Sequence, residues 1–305
     1  RITHLNKIIK KYIFQTMMEV AILSGKGGTG KTCLSAALAT IKNEMVIADC
    51  DVDAANLHLI LQPENYFEEK FISGQKAHID YSTCTNCGLC IDYCRFDAIT
   101  YTKGQVTISE TSCDGCQLCE RICNSQSITM IPSDKSRWYI GNYRNGKIVH
   151  ARLAPGEENS GKLVNVVREQ ARQTAKGTGF ESIIVDGPPG TGCPVISAMT
   201  GVNKVIIVTE PSNSGFHDMK RVLELVENFK IKSYVLINKY DLNEELTKGI
   251  ETWCDEQNIT LVGKLPFYAP MVHAMLKGES IIEHMPDSEV SKEILSICNT
   301  VFNEK

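Results

Sequence analysis

Gly25-Lys26-Gly27-Gly28-Thr29-Gly30-Lys31-Thr32 follows the apolar run at residues 20–23 and opens a helical stretch at 32–40. The octet fits G-x-x-x-x-G-K-[S/T] and sits between a strand and a helix, the context that spacing requires. Its glycines let backbone N–H groups curl around a phosphate. Lys31 is placed to reach the β- and γ-phosphates, and the Thr32 hydroxyl to bind Mg²⁺. A chance glycine-rich turn is the competing reading, and the flanking strand and helix weigh against it.

Outward from this loop the chain alternates. Further short apolar runs lie at 45–48, 183–185, 205–208, 234–237 and 260–262, with helical stretches at 162–176, 216–230 and 243–256. In 216–230 the residues Met219, Val222, Leu223, Val226 and Phe229 recur at helical spacing, so one face is buried. Near-continuous apolar strands between helices predict an α/β fold, a doubly wound, mostly parallel sheet covered on both faces. Arg144-Asn145-Gly146-Lys147 predicts a hairpin turn.

The rhythm breaks between Pro63 and Pro132, where eight of the 13 cysteines fall between Cys84 and Cys123. The stretch repeats with a period of 29: Cys84 maps to Cys113, Cys94 to Cys123, Ile79 to Ile108 and Ile99 to Ile128. One dense cysteine window in a long chain reads as metal binding in a reducing compartment rather than as a disulfide framework. The expected organisation is an ATPase domain over 18–62 and 134–305, interrupted by an inserted domain at 63–133. Residues 1–17 carry Arg1, Lys7, Lys10 and Lys11 and no acid, and lack the apolar core of a signal peptide. They are expected to be a non-native or disordered extension, with the natural start at Met17 or Met18.

The second lysine of the loop, Lys26, is from spacing alone as readily a solvated surface side chain. Together, Lys-Gly-Gly-x-Gly-Lys-Thr resembles the deviant phosphate loop of the family of P-loop ATPases that includes MinD, ParA, the nitrogenase iron protein and Mrp-type cluster carriers. The resemblance implies that Lys26 reaches the nucleotide of a partner subunit, so that Lys26, Lys31 and Asp51 serve catalysis in an ATP-dependent homodimer. It extends to Asp49-Cys50-Asp51 with Asn56-Leu57, similar to a switch I pattern. There Asp49 would hold the Mg²⁺ shell and Asp51 would orient the attacking water, where turn chemistry is the plainer reading. Asp186-Gly187-Pro188-Pro189-Gly190-Thr191-Gly192 resembles Walker B and switch II, with Asp186 on Mg²⁺ through water and Gly190 sensing the γ-phosphate. Asn238 would read adenine and Pro266, with Phe267, would line the base pocket.

Cys84-x2-Cys87-x2-Cys90-x3-Cys94 and Cys113-x2-Cys116-x2-Cys119-x3-Cys123 resemble two runs of a bacterial-type ferredoxin, a small α+β domain. The resemblance implies two [4Fe–4S] clusters, one on Cys84, Cys87, Cys90 and Cys123, the other on Cys113, Cys116, Cys119 and Cys94. Two zinc sites compete, although structural zinc usually takes paired C-x2-C elements with a longer gap. The runs depart from ferredoxins at Arg95 and Asn124, where proline is usual. Cys33, Cys50, Cys254 and Cys298 read as small core or helix-face residues, and Cys193 as a packed switch cysteine. From Met18 on, the chain is similar to MinD-superfamily ATPases carrying an inserted ferredoxin domain, which Gly156-Glu157-Glu158-Asn159-Ser160-Gly161-Lys162 also resembles.

Three functions follow from the resemblance. The first is an ATPase whose nucleotide cycle gates electron transfer through two clusters to a redox partner. The second is an ATP-dependent carrier that delivers a cluster or metal cofactor to an acceptor protein. The third, a positioning ATPase, ranks last. Residues 287–305 hold four acids against two lysines, net −2, which does not favour an anionic membrane. The net charge of −4 does not favour nucleic acid. The expected location is the cytoplasm.

Overall fold

The structure, a computed structural model, describes residues 17–42, 44–72 and 74–303. The extension expected at 1–17 lies, apart from Met17, outside the described residues. The chain divides into two compact units. The first runs to Glu68 and takes in Tyr139–Ala151 and Gly161 onward; the second is Glu69–Trp138 with Arg152–Ser160.

In chain order the elements begin β1 (Met18–Ser24), α1 (Lys31–Ile41), β2 (Val46–Asp49), α2 (Leu57–Leu61) and β3 (Glu64–Phe71). The cysteine region follows as β4 (Gln75–Ile79), α3 (Leu89–Asp92), β5 (Ile99–Thr102), β6 (Gln105–Ile108), α4 (Leu118–Ile122) and β7 (Ile128–Pro132). Then come β8 (Ser136–Tyr143), β9 (Gly146–Arg152), α5 (Ser160–Thr178), β10 (Ser182–Pro189), α6 (Cys193–Met199), β11 (Lys204–Thr209) and α7 (Asn213–Asn228). The rest is β12 (Lys232–Asn238), α8 (Glu244–Glu256), β13 (Thr260–Leu265), α9 (Ala269–Leu276), α10 (Ile281–His284) and α11 (Glu289–Asn303).

One nine-stranded sheet has the order β13-β12-β11-β1-β10-β2-β9-β8-β3. The pairs from β13 to β9 are parallel. β8 and β9 are joined by two residues, Arg144 and Asn145, a link too short for anything but a hairpin. β1 is central because it is apolar on both faces: Val20, Ala21, Ile22 and Leu23 are all fully buried. Val20 and Ile22 pack with Leu34 and Leu38 of α1 and with Ile294, Ile297 and Val301 of α11. Alternation turns Ala21 and Leu23 to the other face.

The predicted strands and helices stand, each a few residues longer or shifted. The predicted helix at 216–230 starts instead at Asn213, because Ser212 caps it by accepting a hydrogen bond from the Gly215 N–H, and ends at Asn228. The inserted stretch differs from the expected 63–133. Residues 64–71 form β3, the outermost strand of the large sheet, and the second unit begins at Glu69. β3 reads Glu-Asn-Tyr-Phe-Glu-Glu-Lys-Phe and is exposed along nearly its whole length, the charged character of an edge strand that leaves no apolar run to read.

The second unit follows the 29-residue repeat. β4 pairs antiparallel with β7, with Ile79 opposite Ile128, and β5 with β6, with Ile99 opposite Ile108. Each pair takes one strand from each half, so the two small sheets are repeat-related images of one another. Ala77, Ile79, Ile99, Val106 and Ile128 form their shared core, with six of the eight cysteines packed against it. Arg152–Ser160 belongs to this unit: Lys76 Nζ donates to the carbonyl oxygens of Cys113 (2.7 Å) and Gly156 (2.6 Å). Gly156 has φ of 75° and lies so close to Thr111 that a Cβ would not fit.

Candidate functional site

The strands of the first unit bring its acids together. β2 and β10 run parallel in a register that sets Asp49 opposite Asp186. Both side chains are buried, at 0% and 1% exposure. Ser35 Oγ donates to Asp186 Oδ1 at 2.7 Å and the Asp51 N–H donates to Asp49 Oδ1 at 3.2 Å. Asp49 Oδ2 and Asp186 Oδ2 are buried with no hydrogen-bond partner among the described residues. Two buried carboxylate oxygens left unsatisfied side by side are costly unless a cation joins them. Burial pushes Asp186 up to about 6, against the pull of Ser35, Lys31 and Thr32. Burial and then the charge of Asp186 push Asp49 well above the usual carboxylate range. An oxygen-only donor set of this kind, completed by Thr32, suits Mg²⁺.

Above these acids the phosphate loop leaves β1 and enters α1 at Lys31. Gly28 and Gly30 have φ of 78° and 96°, which only glycine adopts freely. Lys31 is buried, and desolvation lowers its pKa while Asp186 and Asp51 oppose the fall. Desolvation raises the half-buried Asp51, with Lys31 opposing. Gly27, Gly28, Gly30, Lys31, Thr32 and Asp51 line one cleft of about 780 Å³, with Pro188 and Pro189 on another wall. The N–H of Gly190 donates to the Ser24 carbonyl at 2.9 Å, which ties the stretch after β10 to the root of the loop. The loop and Asp51 therefore share one cavity large enough for a nucleotide, and Asp49 and Asp186 are buried outside its lining, Asp186 held to α1 by Ser35.

Asn238 and Pro266 are not among the residues lining that cleft. Asn238 faces the loop itself: its Nδ2 donates to the Thr29 carbonyl at 2.8 Å and its Oδ1 accepts from the Lys239 N–H at 3.0 Å. Lys239 Nζ donates to the Gly28 carbonyl at 2.9 Å. The two side chains hold loop carbonyls from outside, which leaves the loop N–H groups to point at phosphate. Lys26 is engaged within its own chain. Its Nζ lies 2.6 Å from Glu210 Oε1 and 3.1 Å from the hydroxyls of Ser212 and Ser214, which uses all three ammonium hydrogens. Glu210 also meets Lys239 at 3.0 Å. Burial pushes the Glu210 carboxyl up, but the two lysines outweigh it and hold it below the usual range.

Sequence reasoning missed Ser35, Glu210, Ser212, Ser214 and Lys239. Ser35 was findable, one helical turn after Lys31 and so on the same face. Glu210 and the serines belong to a strand end far along the chain and carry no spacing signal. Cys193, expected to be packed, is exposed at the start of α6. Cys50, Cys254 and Cys298 are buried and Cys33 is half-buried.

In the second unit the cysteines sort into two fours. Cys84, Cys87, Cys90 and Cys123 line one small cavity; Cys94, Cys113, Cys116 and Cys119 line another. Burial, opposed by its own N–H and reinforced by the neighbouring Cys87, Cys123 and Cys84, raises the Cys90 thiol; burial pushes Cys119 to about 11, with Cys113 and Cys116 beside it. Among the described residues no three His, Cys, Asp or Glu side chains converge tightly enough to hold a single metal ion. No helix of the described chain is long and apolar enough to cross a membrane.

A family model described as the CobQ/CobB/MinD/ParA nucleotide binding domain matches residues 20–281. An uncharacterized protein of Methanocaldococcus jannaschii is 34% identical over 230 residues, which cover 74% of this chain and 80% of that protein. The septum site-determining protein MinD of Neisseria meningitidis is 24% identical over 297 residues, covering 91% and 89%. Among solved structures, Pyrococcus horikoshii MinD complexed with Mg-ADP aligns with a TM-score of 0.56 at 18% identity, covering 94% of this chain and 96% of that one. The mostly parallel sheet is that of a MinD-like P-loop NTPase, and the chain belongs to the CobQ/CobB/MinD/ParA family of nucleotide-binding ATPase domains.

Proposed function

We propose that this chain is an ATP-hydrolysing iron–sulfur protein, in which a nucleotide-driven dimer and switch cycle is coupled to electron transfer through two [4Fe–4S] clusters in the second unit. The observation that carries the reading is the sorting of eight cysteines into two fours, each taking three from one repeat and one from the other. A mononuclear zinc site needs four sulfurs about 2.3 Å from one point. In a cubane each thiolate binds a different iron, so four cysteines lining one cavity suit a cluster without meeting at a single point. When bound, such clusters supply one-electron redox chemistry. The thiols suit a reducing compartment, which supports a cytoplasmic location.

At the cleft the roles follow from position. Lys31 and the loop N–H groups neutralise the β- and γ-phosphates. Thr32, Asp49 and Asp186 would hold Mg²⁺, which screens the developing phosphate charge. Asp51, which lines the same cleft, orients the attacking water. Lys26 reaches the partner's nucleotide once it leaves Glu210. Delivery of a cluster to an acceptor protein is the alternative use of the same parts. The named relatives that determine septum sites favour a second reading, a positioning ATPase in which the cysteine unit is a bystander.

Anaerobic reconstitution with iron and sulfide, followed by metal analysis and ATPase assay, separates these. Eight irons and eight sulfides per chain, lost when Cys87 and Cys116 become serine, support the proposal. A chain that binds no sulfide but hydrolyses ATP supports the positioning reading. Lys31→Ala should abolish nucleotide binding, whereas Asp51→Ala should bind ATP and not turn over; normal turnover in the latter removes the role given to Asp51.

A further inference from the structure

The 29-residue repeat lets the two cysteine sites be compared position by position. The fourth cysteine of the first site is Cys123. The Ser127 N–H donates to its Sγ at 3.3 Å, and the Ser125 hydroxyl lies 3.5 Å from the same sulfur. The hydroxyls of Ser125 and Ser127 are 2.7 Å apart, and Ser127 is buried. A metal-bound thiolate carries no proton, so in that state Ser125 must donate to sulfur while Ser127 donates to Ser125. Twenty-nine residues earlier, the fourth cysteine of the other site is Cys94, and the counterparts of Ser125 and Ser127 are Phe96 and Ala98. Neither side chain has a donor. The Phe96 ring instead lines the Cys94 cavity.

We propose that Ser125 and Ser127 make the two sites unequal and set the cluster held by Cys84, Cys87, Cys90 and Cys123 at the higher reduction potential of the pair. The inference rests on the cluster reading given above. A donor to a ligating sulfur draws off negative charge and so favours the reduced state, which carries one more electron. Nearby charges do not reverse the order. At the Cys94 site the Lys76 ammonium sits on the Cys113 carbonyl, but Asp114 follows directly and opposes it. At the Cys123 site the Asp80 carboxylate is taken up by Ser82 at 2.9 and 2.7 Å and faces solvent. Asp80 and Asp114 are exposed and screened by water and salt, and the half-buried Lys76 ammonium is bound to backbone carbonyls, whereas the Ser125 hydroxyl touches the ligating sulfur itself. Electrons entering the unit therefore come to rest on the Cys123 side. One electron leaves the reduced cluster at Cys94, which is oxidised, and enters the oxidised cluster at Cys123, which is reduced; no proton moves and no bond breaks.

The full chain, reconstituted anaerobically, is titrated with dithionite as the one-electron reductant, and reduced clusters are counted by electron paramagnetic resonance. Two waves are expected. Ser125→Ala should move the higher wave down by about tenfold in the reduction equilibrium, about 59 mV for one electron, and leave the lower wave in place. Phe96→Ser, at an exposed position that tolerates a hydroxyl, should move the lower wave up and leave the higher one. If Ser125→Ala shifts the lower wave, or neither variant shifts any wave at equal iron content, the proposal is overturned. A chain that takes up no iron and sulfide at all overturns the cluster reading itself, a different result from full loading with unmoved waves.

Discussion

Replacing Asp186 by asparagine tests whether the buried acids await a cation. Asp186 is fully buried, lies opposite Asp49, and has one oxygen without a partner. Burial raises its pKa from 3.8 to about 6. At 1.36 kcal/mol per pKa unit, ionising this group in the metal-free fold costs about 3 kcal/mol at pH 7.5. The sign follows from linkage. A group whose folded pKa lies above its unfolded value supports the fold fully below the unfolded pKa, and that support is lost as pH rises through the folded one. The penalty therefore shrinks to about 1 kcal/mol at pH 4.5. Asp186→Asn removes the charge and keeps an oxygen to accept from Ser35. In EDTA the variant should melt higher than the natural chain at pH 7.5, by roughly 6–12 °C at the usual sensitivity of a domain this size. The gain should fall to about a third at pH 4.5, and Mg²⁺ with ATP should no longer stabilise the variant. Calorimetry from pH 4.5 to 7.5, with EDTA or Mg²⁺-ATP, reads all three. A variant that melts at or below the natural chain at pH 7.5 in EDTA would refute the reasoning, since the carboxylate would then have no cost for Mg²⁺ to relieve.

Glu210→Gln removes the charge that holds Lys26, at 2.6 Å, within its own chain. Light scattering with ATP should find dimers forming at about tenfold lower protein concentration; an unchanged or weaker dimer would show that Glu210 does not restrain Lys26. Arg168→Ala should cost about 3–5 kcal/mol by urea unfolding, because Glu19 and Arg168 are both about 95% buried. It would also leave the Ser197 and Thr200 carbonyls, which Arg168 binds at 2.7 and 2.8 Å, without their donor. A loss under about 1 kcal/mol would mean that Arg172, already 2.7 Å from Glu19, carries the pair alone.

The sequence carried the phosphate loop, the strand–helix alternation and the cysteine repeat, because each is a local pattern with a fixed period or spacing. The register that sets Asp49 beside Asp186 was legible only as two acids at strand ends; that they face each other depends on strand order. The lysine latch at Glu210 was not legible, since it joins positions 184 residues apart through the parallel neighbours β1 and β11. The bonds from the Asn238 carboxamide to the Thr29 carbonyl and the Lys239 N–H were not legible either, because the first joins a strand end to a loop 209 residues away. β3 escaped notice because an edge strand need not be apolar.

The crossed pairing of β4 with β7 and β5 with β6 bears on how the unit is made in the cell. A ribosome delivers the first repeat before the second, and at 5–20 residues per second the 29-residue lag lasts roughly 1.5–6 s. During that interval β4 has no partner strand, and Cys84, Cys87 and Cys90 lack the fourth cysteine that completes their cavity. A gene cut between the repeats would yield two fragments, each with half of both sheets, which could form the unit only by finding one another. On the proposed cluster reading, iron and sulfide meet a finished unit, and the eight thiols have to stay reduced until translation has passed Pro132.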